Sequence, residues 1–313
     1  MNIQKFQDFS RRIRENCGKI IIGKDEVITQ LTVALIAGGH VLLEDLPGTG
    51  KTMLLRAFSA SVGLDFRRIQ FTPDLLPSDL TGIYFYNQKT SEFEFRPGPL
   101  FSGIVLADEI NRATPRSQSA LLEVMEEHQI SIDGITHRIP EPYLVMATQN
   151  PIESYGTFPL PEAQMDRFLM RLSMGYMERE DEIKIIRRED SRDLVSALSP
   201  VTAPEEILAL QKAYREVRVS DEITAYIMDL AEYTRRSELL SAGISTRGTI
   251  ALYRTAQILA AVSGRDYVIP EDVKTEAAYV LPHRISLQKK SHASTDRFIG
   301  ELLEEVRVPL ETL

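Results

Sequence analysis

The chain has 313 residues, a length suited to two domains rather than one core, and 43% of it is hydrophobic, which excludes a disordered protein. Its net charge of −9 argues against a general nucleic-acid surface, although a local basic channel is compatible with an acidic total. Cys17 is the only cysteine, so an intrachain disulfide is excluded and a reducing cytoplasm is the expected home; Cys17 itself reads as a small packing residue.

The opening stretch, MNIQKFQDFSRRIREN, has no apolar signal core. The apolar run from Leu31 to Leu43 is broken by Thr32, Gly38, Gly39 and His40 and is too short to span a bilayer. Residues 2–16 read as an amphipathic helix with Ile3, Phe6, Phe9 and Ile13 on one face. A second helix over 25–37 carries Val27, Ile28, Leu31, Leu35 and Ile36, and Gly38-Gly39 stops it. Val41, Leu42 and Leu43 then form a buried strand. It runs into a loop with Pro47, Gly48, Thr49 and Gly50, followed by Lys51, Thr52 and a helix to about residue 62.

Residues 66–71 are a second strand, and a Pro- and Asp-rich loop follows. Residues 83–86 and 92–95 read as a projecting hairpin. GIVLA at 103–107 is a buried strand ending on Asp108-Glu109. Pro115 opens a helix to about 127. Asp133-Gly134 marks a second hairpin over 129–139. YLVMAT at 143–148 is another buried strand, ending at Gln149-Asn150-Pro151. A short helix and a last short strand before Gly175 follow, and the charged run 178–193 reads as a solvated helix face joining two domains. Beyond Ser199-Pro200 the texture changes to helices at 203–217, 220–236, 247–262 and 271–281 with no strand between them. The expected architecture is therefore α/β, with a parallel sheet flanked by helices over 1–198 and a smaller all-helical domain over 199–313.

The stretch HVLLEDLPGTGKT supplies a strand, a glycine-bearing loop, Lys-Thr and a helix, the arrangement that wraps phosphates in P-loop nucleotidases. Glycines let the backbone amides approach the phosphates, Lys51 adds a point charge and the Thr52 hydroxyl can ligate Mg²⁺. Asp45 stands where the pattern G-x-x-x-x-G-K-[ST] wants its first glycine, so a plain strand–turn–helix with a solvated lysine is the competing account. Asp108 and Glu109 answer it from a strand's carboxyl end, where open sheets bind ligands. Asp108 is placed to hold Mg²⁺, and Glu109 to take a proton from water attacking a γ-phosphate. Asn150, ending a neighbouring strand, can orient that water. Arg167 and Arg171 are four apart and would share a helix face, either as a finger toward a neighbour's ATP or in an ion pair with Asp166 or Glu162.

Nearly the whole chain resembles the MoxR family of AAA+ ATPases. The resemblance is carried by HVLLEDLPGTGKT, IQFTPDLLPSDLTG, GPLFSGIVLADEINRATPRSQSALLEVMEE, LVMATQNPIESYGTFPLPEAQMDRF and ISTRGTIAL. It implies ATP held by Pro47, Gly48, Thr49, Gly50, Lys51, Thr52 and Met53, with Ile22 and Gly23 against the adenine. It implies Mg²⁺ at Thr52 and Asp108, Asn150 as sensor 1, Arg167 as arginine finger and Arg247, in STRG, as sensor 2 acting in cis or in trans. The family pattern tolerates Asp at position 45, whose carboxylate would point away from the phosphates. The hairpins near 83–95 and 129–139 would line the pore of a homo-hexameric ring. A partner with a von Willebrand factor A domain and chaperone-like remodelling of protein complexes are also implied. A nucleic-acid motor is the first alternative, but the 129–139 hairpin offers only His137 and Arg138. An ATP-binding switch with little turnover is the second, and Glu109 argues against it. A small-molecule kinase has no legible acceptor pocket.

Overall fold

The computed structural model describes residues 2–44, 48–149, 156–187, 194–288 and 294–309, so Asp45, Pro47 and Asn150 lie outside the described residues. Helix α1 (Ile3–Gly18) starts where the Asn2 side chain accepts from the Gln4 amide at 3.1 Å, and it buries Phe6, Phe9, Ile13 and Cys17. Helix α2 (Asp25–Ala37) has Asp25 and Glu26 in its first turn, which suits the positive end of its dipole, and ends at Gly38 in the left-handed conformation. Strand β1 (Val41–Glu44) follows, then α3 (Lys51–Val62), β2 (Phe66–Gln70) and the short α4 (Pro77–Thr81). Strands β3 (Gly82–Asn87) and β4 (Glu92–Pro97) form the first hairpin. After β5 (Ile104–Asp108) and α5 (Pro115–Glu127), β6 (Gln129–Ile132) and β7 (Ile135–Arg138) form the second, turning at Asp133 and Gly134, both at positive φ. Strand β8 (Leu144–Gln149), α6 (Glu162–Met165), β9 (Met170–Leu172) and α7 (Arg179–Ile186) complete this part.

The central sheet is fully parallel in the order β2-β5-β8-β1-β9. Its inner strands are buried on both faces, which is why they read as unbroken apolar runs. Val41 and Leu43, Ile104 and Leu106, and Leu144 and Met146 face a core shared with α1, α2 and α3. Leu42, Val105, Ala107, Val145 and Ala147 face the other core, with Leu121, Leu122 and Met125 of α5. His40, just before β1, is buried between these layers. Its Nε2 donates to the Met125 carbonyl at 2.9 Å and its Nδ1 accepts from the Val145 amide at 3.0 Å, while burial pushes its pKa down to about 4. It is a neutral structural tie. Burial likewise pushes the Cys17 thiol up to about 11, consistent with a packing role.

The remaining helices are α8 (Pro204–Ala213), α9 (Asp221–Arg236), α10 (Thr246–Val262), α11 (Pro270–Val280) and α12 (Thr295–Glu305). Two features add to the expected helices. Helix α12 was not foreseen, and β10 (Leu240–Ala242) pairs antiparallel with β11 (Ser286–Leu287). Both strands are too short to register as a pattern. The apolar core continues from α1 and α2 into α9, α10 and α11, so the helical part is packed on the sheet-bearing part and not merely tethered to it. Among the described residues no helix is long and apolar enough to cross a membrane.

Glu276 of α11 is fully buried in that shared core, with Gln30 Nε2 of α2 donating to it at 3.1 Å. Burial pushes its carboxyl from 4.5 up to about 7, with Gln30 and Thr255 partly offsetting this. The folded chain thus holds this proton more tightly than the unfolded chain does. The stability so gained is whole below the unfolded value and is lost as pH rises through about 7. The gap corresponds to on the order of 3 kcal/mol. The urea midpoint should therefore fall between about pH 5 and pH 8, and Glu276→Gln should flatten that fall; an unchanged slope would refute the assignment.

Candidate nucleotide site

The loop after β1 opens onto a cavity of about 490 Å³, within the ~300–1,000 Å³ common for small-ligand sites. Gly48 and Gly50 have φ of 87° and 86°, a backbone that other residues rarely adopt, and Gly50 caps the start of α3. The start of that helix lies at the cavity, and a helix N-terminus with its free amides and dipole favours an anion. Gly48, Thr49, Gly50, Lys51, Thr52 and Met53 all line it. Asp108 and Glu109 line the opposite wall, so the two halves of the expected motif meet across one space.

The carboxylates are held by partners on the neighbouring strands. Thr148, at 1% exposure, donates from Oγ1 to Asp108 Oδ1 at 2.7 Å and accepts from the Glu109 amide at 2.8 Å. Arg68 of β2 donates to Asp108 Oδ2 through Nε at 3.0 Å and Nη2 at 2.6 Å. Gln70 Nε2 donates to Glu109 Oε2 at 2.8 Å, and Arg112 Nε lies 3.1 Å from the same oxygen. Glu109 itself is left-handed, at φ 57° and ψ 49°, a conformation costly for a residue with a Cβ. Arg68, Gln70, Arg112 and Thr148 were not singled out from the sequence. Arg68 and Gln70 alternate around buried Ile69 and so share a strand face, but only the pairing of β2 with β5, Gln70 opposite Asp108, says which carboxylates they meet.

The arginines lie elsewhere. Helix α6 ends at Met165, so Arg167 sits in a turn and Arg171 on β9. The expected common helix face does not exist, because buried Phe168 and the inward alternation of Met170 and Leu172 take the chain into the sheet. The alternative of an ion pair with Asp166 or Glu162 is not what the structure shows either. Arg167 Nη1 lies 3.1 Å from Glu126 Oε2 and donates to the Leu122 carbonyl at 3.1 Å. Arg247, in the first turn of α10, pairs with the other oxygen of the same Glu126. Arg171 bridges Glu44, at 3.1 Å, and Asp296 of α12. Neither Arg167 nor Arg247 lines the glycine-loop cavity; Arg167 lines a second hollow of about 290 Å³ with Glu123, Glu126 and Gln164. Ile22 and Gly23 are also outside the first cavity's lining, Gly23 lying against Asp181 of α7.

Among the described residues no group of three or more His, Cys, Asp or Glu could hold a metal ion by itself. Thr52 and Asp108 line the same cavity, a donor set suited to a cation that also takes phosphate oxygens.

A glycine loop leaving the β1 position of a β2-β5-β8-β1-β9 sheet, facing Asp-Glu on β5 and followed by a helical lid, defines an AAA+ ATPase. Residues 40–170 match the ATPase family associated with various cellular activities (AAA), and residues 232–306 match the AAA lid domain. The chain is 47% identical over 300 residues to the uncharacterized protein YeaC of Bacillus subtilis, covering 95% of this chain and 94% of that one. It is 41% identical over 308 residues to the chaperone MoxR1 of Mycobacterium tuberculosis, covering 93% and 80%. A crystal structure of a protein from Cytophaga hutchinsonii, provisionally described as an ATPase, superposes with a TM-score of 0.92 at 37% identity, covering 99% and 97%. The chain belongs to the MoxR family of AAA+ ATPases.

Thr148→Val keeps the shape of the buried side chain but leaves the Glu109 amide without its acceptor. It should cost about 1–3 kcal/mol in urea unfolding. A wild-type midpoint would contradict the role given to this hydroxyl.

Proposed function

We propose that this protein is a Mg²⁺-dependent ATPase that works as a ring and remodels bound proteins. The observation that carries the reading is the single cavity walled by the Gly48–Thr52 loop on one side and Asp108-Glu109 on the other. The loop amides and Lys51 bind the β- and γ-phosphates of ATP, with Met53 beside them and Pro47 in the same loop. Ile22 and Gly23 flank the adenine. Thr52 and Asp108 would hold Mg²⁺, which would supply charge neutralisation when bound. For Asp108 to serve it, Arg68 must release Oδ2. Glu109 takes the proton of the attacking water while Asn150 orients that water. Gln70 and Arg112 hold Glu109 at one oxygen, Oε2, while the residue lines the cavity.

Arg167 and Arg247 both act on the ATP of a neighbouring subunit. Their common pairing with Glu126 and their absence from this chain's own cavity support action in trans for the pair. Action in trans requires a neighbouring subunit, and the proposed assembly is a homo-hexamer. We place the boundary between the ATPase domain (1–198) and the lid domain (199–313) between the two matched segments. The two hairpins line the ring's pore, and the client and a partner with a von Willebrand factor A domain are proteins. Nucleic acid is not the partner: His137 stacks on Phe95 at 4.1 Å and bonds Tyr84 at 3.0 Å, leaving little of the second hairpin's basic character for phosphates. The buried lone cysteine fits a cytoplasmic location.

Three variants test this. Lys51→Ala should abolish ATP binding in a calorimetric titration, and tight binding would discredit the loop assignment. Glu109→Gln should bind ATP but turn it over about 10²–10⁴ times more slowly. Arg167→Ala should bind ATP normally and lose roughly 10³-fold in turnover. Mixing the last two should restore activity, because the Glu109→Gln subunit supplies Arg167 to the intact cleft of the Arg167→Ala subunit; two assembled but inactive partners would rule out a finger in trans.

A further inference from the structure

The lid carries a buried arginine that the cleft does not use. Arg284, in the turn after α11, has a side chain only 2% exposed. Its Nε donates to Asp166 Oδ1 at 2.8 Å and its Nη1 to the carbonyl of Leu169 at 2.9 Å. Its Nη2 donates to the carbonyl of Asp166 at 3.3 Å and to that of Phe168. The guanidinium therefore grips both flanks of Arg167. The second Asp166 oxygen accepts from Ser245 Oγ at 2.8 Å, and Ser245 caps α10, two residues before Arg247. A Cβ at Gly248 would lie 2.7 Å from Arg284 Cδ, so this glycine is what lets the arginine pass beneath α10. Burial lowers the Arg284 pKa to about 10 and Asp166 works against that, so the guanidinium stays charged near neutrality. Burying an ion pair is a poor way to gain stability, but its directional hydrogen bonds are a good way to fix an orientation.

We propose that Arg284 is a positioning residue which, through Asp166 and Ser245, holds Arg167 and Arg247 in one arrangement for delivery to a neighbouring subunit's ATP. It touches no nucleotide. The proposal rests on the reading of those two arginines as acting in trans.

The test uses full-length chains in the mixed assay. Glu109→Gln subunits donate arginines to the intact clefts of Arg167→Ala subunits. Arg284→Lys is added either to the donor or to the acceptor. In the donor it should lower the mixed turnover about 10–100-fold, as small misplacements of a catalytic group do, with the KM for ATP unchanged. In the acceptor, whose own arginines serve no live site, it should leave the rate within twofold. No loss from the donor, or equal loss from both, overturns the proposal, since a lid weakened in general would harm the acceptor that binds the ATP. If the parent mixture is inactive although both parents assemble, the reading in trans fails first and takes this proposal with it. Should Arg284→Lys not fold, Asp166→Asn is placed in the same two arms and judged by the same outcomes.

Discussion

Parallel hydrogen bonding of β1 between β8 and β9 is the constraint on which the cleft depends. In a parallel sheet every strand ends at the same edge, so the loop after β1, the carboxylates at the end of β5 and the end of β8 are delivered to one place. The two-sided burial of these strands fixes their register, because a one-residue slip would exchange the two cores. Thr148 turns that register into chemistry. One hydroxyl ties the Asp108 carboxylate to the Glu109 backbone, and it stands on the strand next to β5.

A second network, around Asp166, connects the lid to the sheet-bearing part. Asp166 lies between the end of α6 and β9, and its carboxylate is shared by Arg284 and Ser245 of the lid. Glu126 of α5 closes the same region by pairing with Arg167 and Arg247. Movement of the lid relative to the sheet therefore strains the contacts through which Arg167 and Arg247 meet. The apolar core that runs through α1, α2, α10 and α11 makes such movement a collective shift of packed helices rather than a free hinge.

Much of this was legible in the sequence. The apolar runs VLL, GIVLA and LVMAT, each ending in polar residues, announce buried parallel strands, and Pro115, Gly38 and Asp133-Gly134 mark starts, stops and turns. The glycine loop and Asp108-Glu109 are sequence patterns because their chemistry needs particular residues in fixed local order. What escaped depends on strand neighbours or long-range pairing. Arg68 and Gln70 matter only because β2 lies beside β5. Arg167 and Arg247 are 80 positions apart and meet through Glu126. The spacing of Arg167 and Arg171 imitated a helix, but packing of Phe168 and Met170 converted the segment to a turn and a strand. The β10–β11 pair is too short to leave a pattern at all.

Glu109 carries its carboxylate on a left-handed backbone, where a glycine would sit without strain. The conformation stores on the order of 1–2 kcal/mol that the surrounding hydrogen bonds must hold in place. Folding and chemistry thus select opposite residues at this one position. Stability gained by relaxing this backbone with a glycine would come at the loss of the proposed base and of its contacts to Gln70 and Arg112, so any engineering of this scaffold toward durability has to keep turnover in the selection.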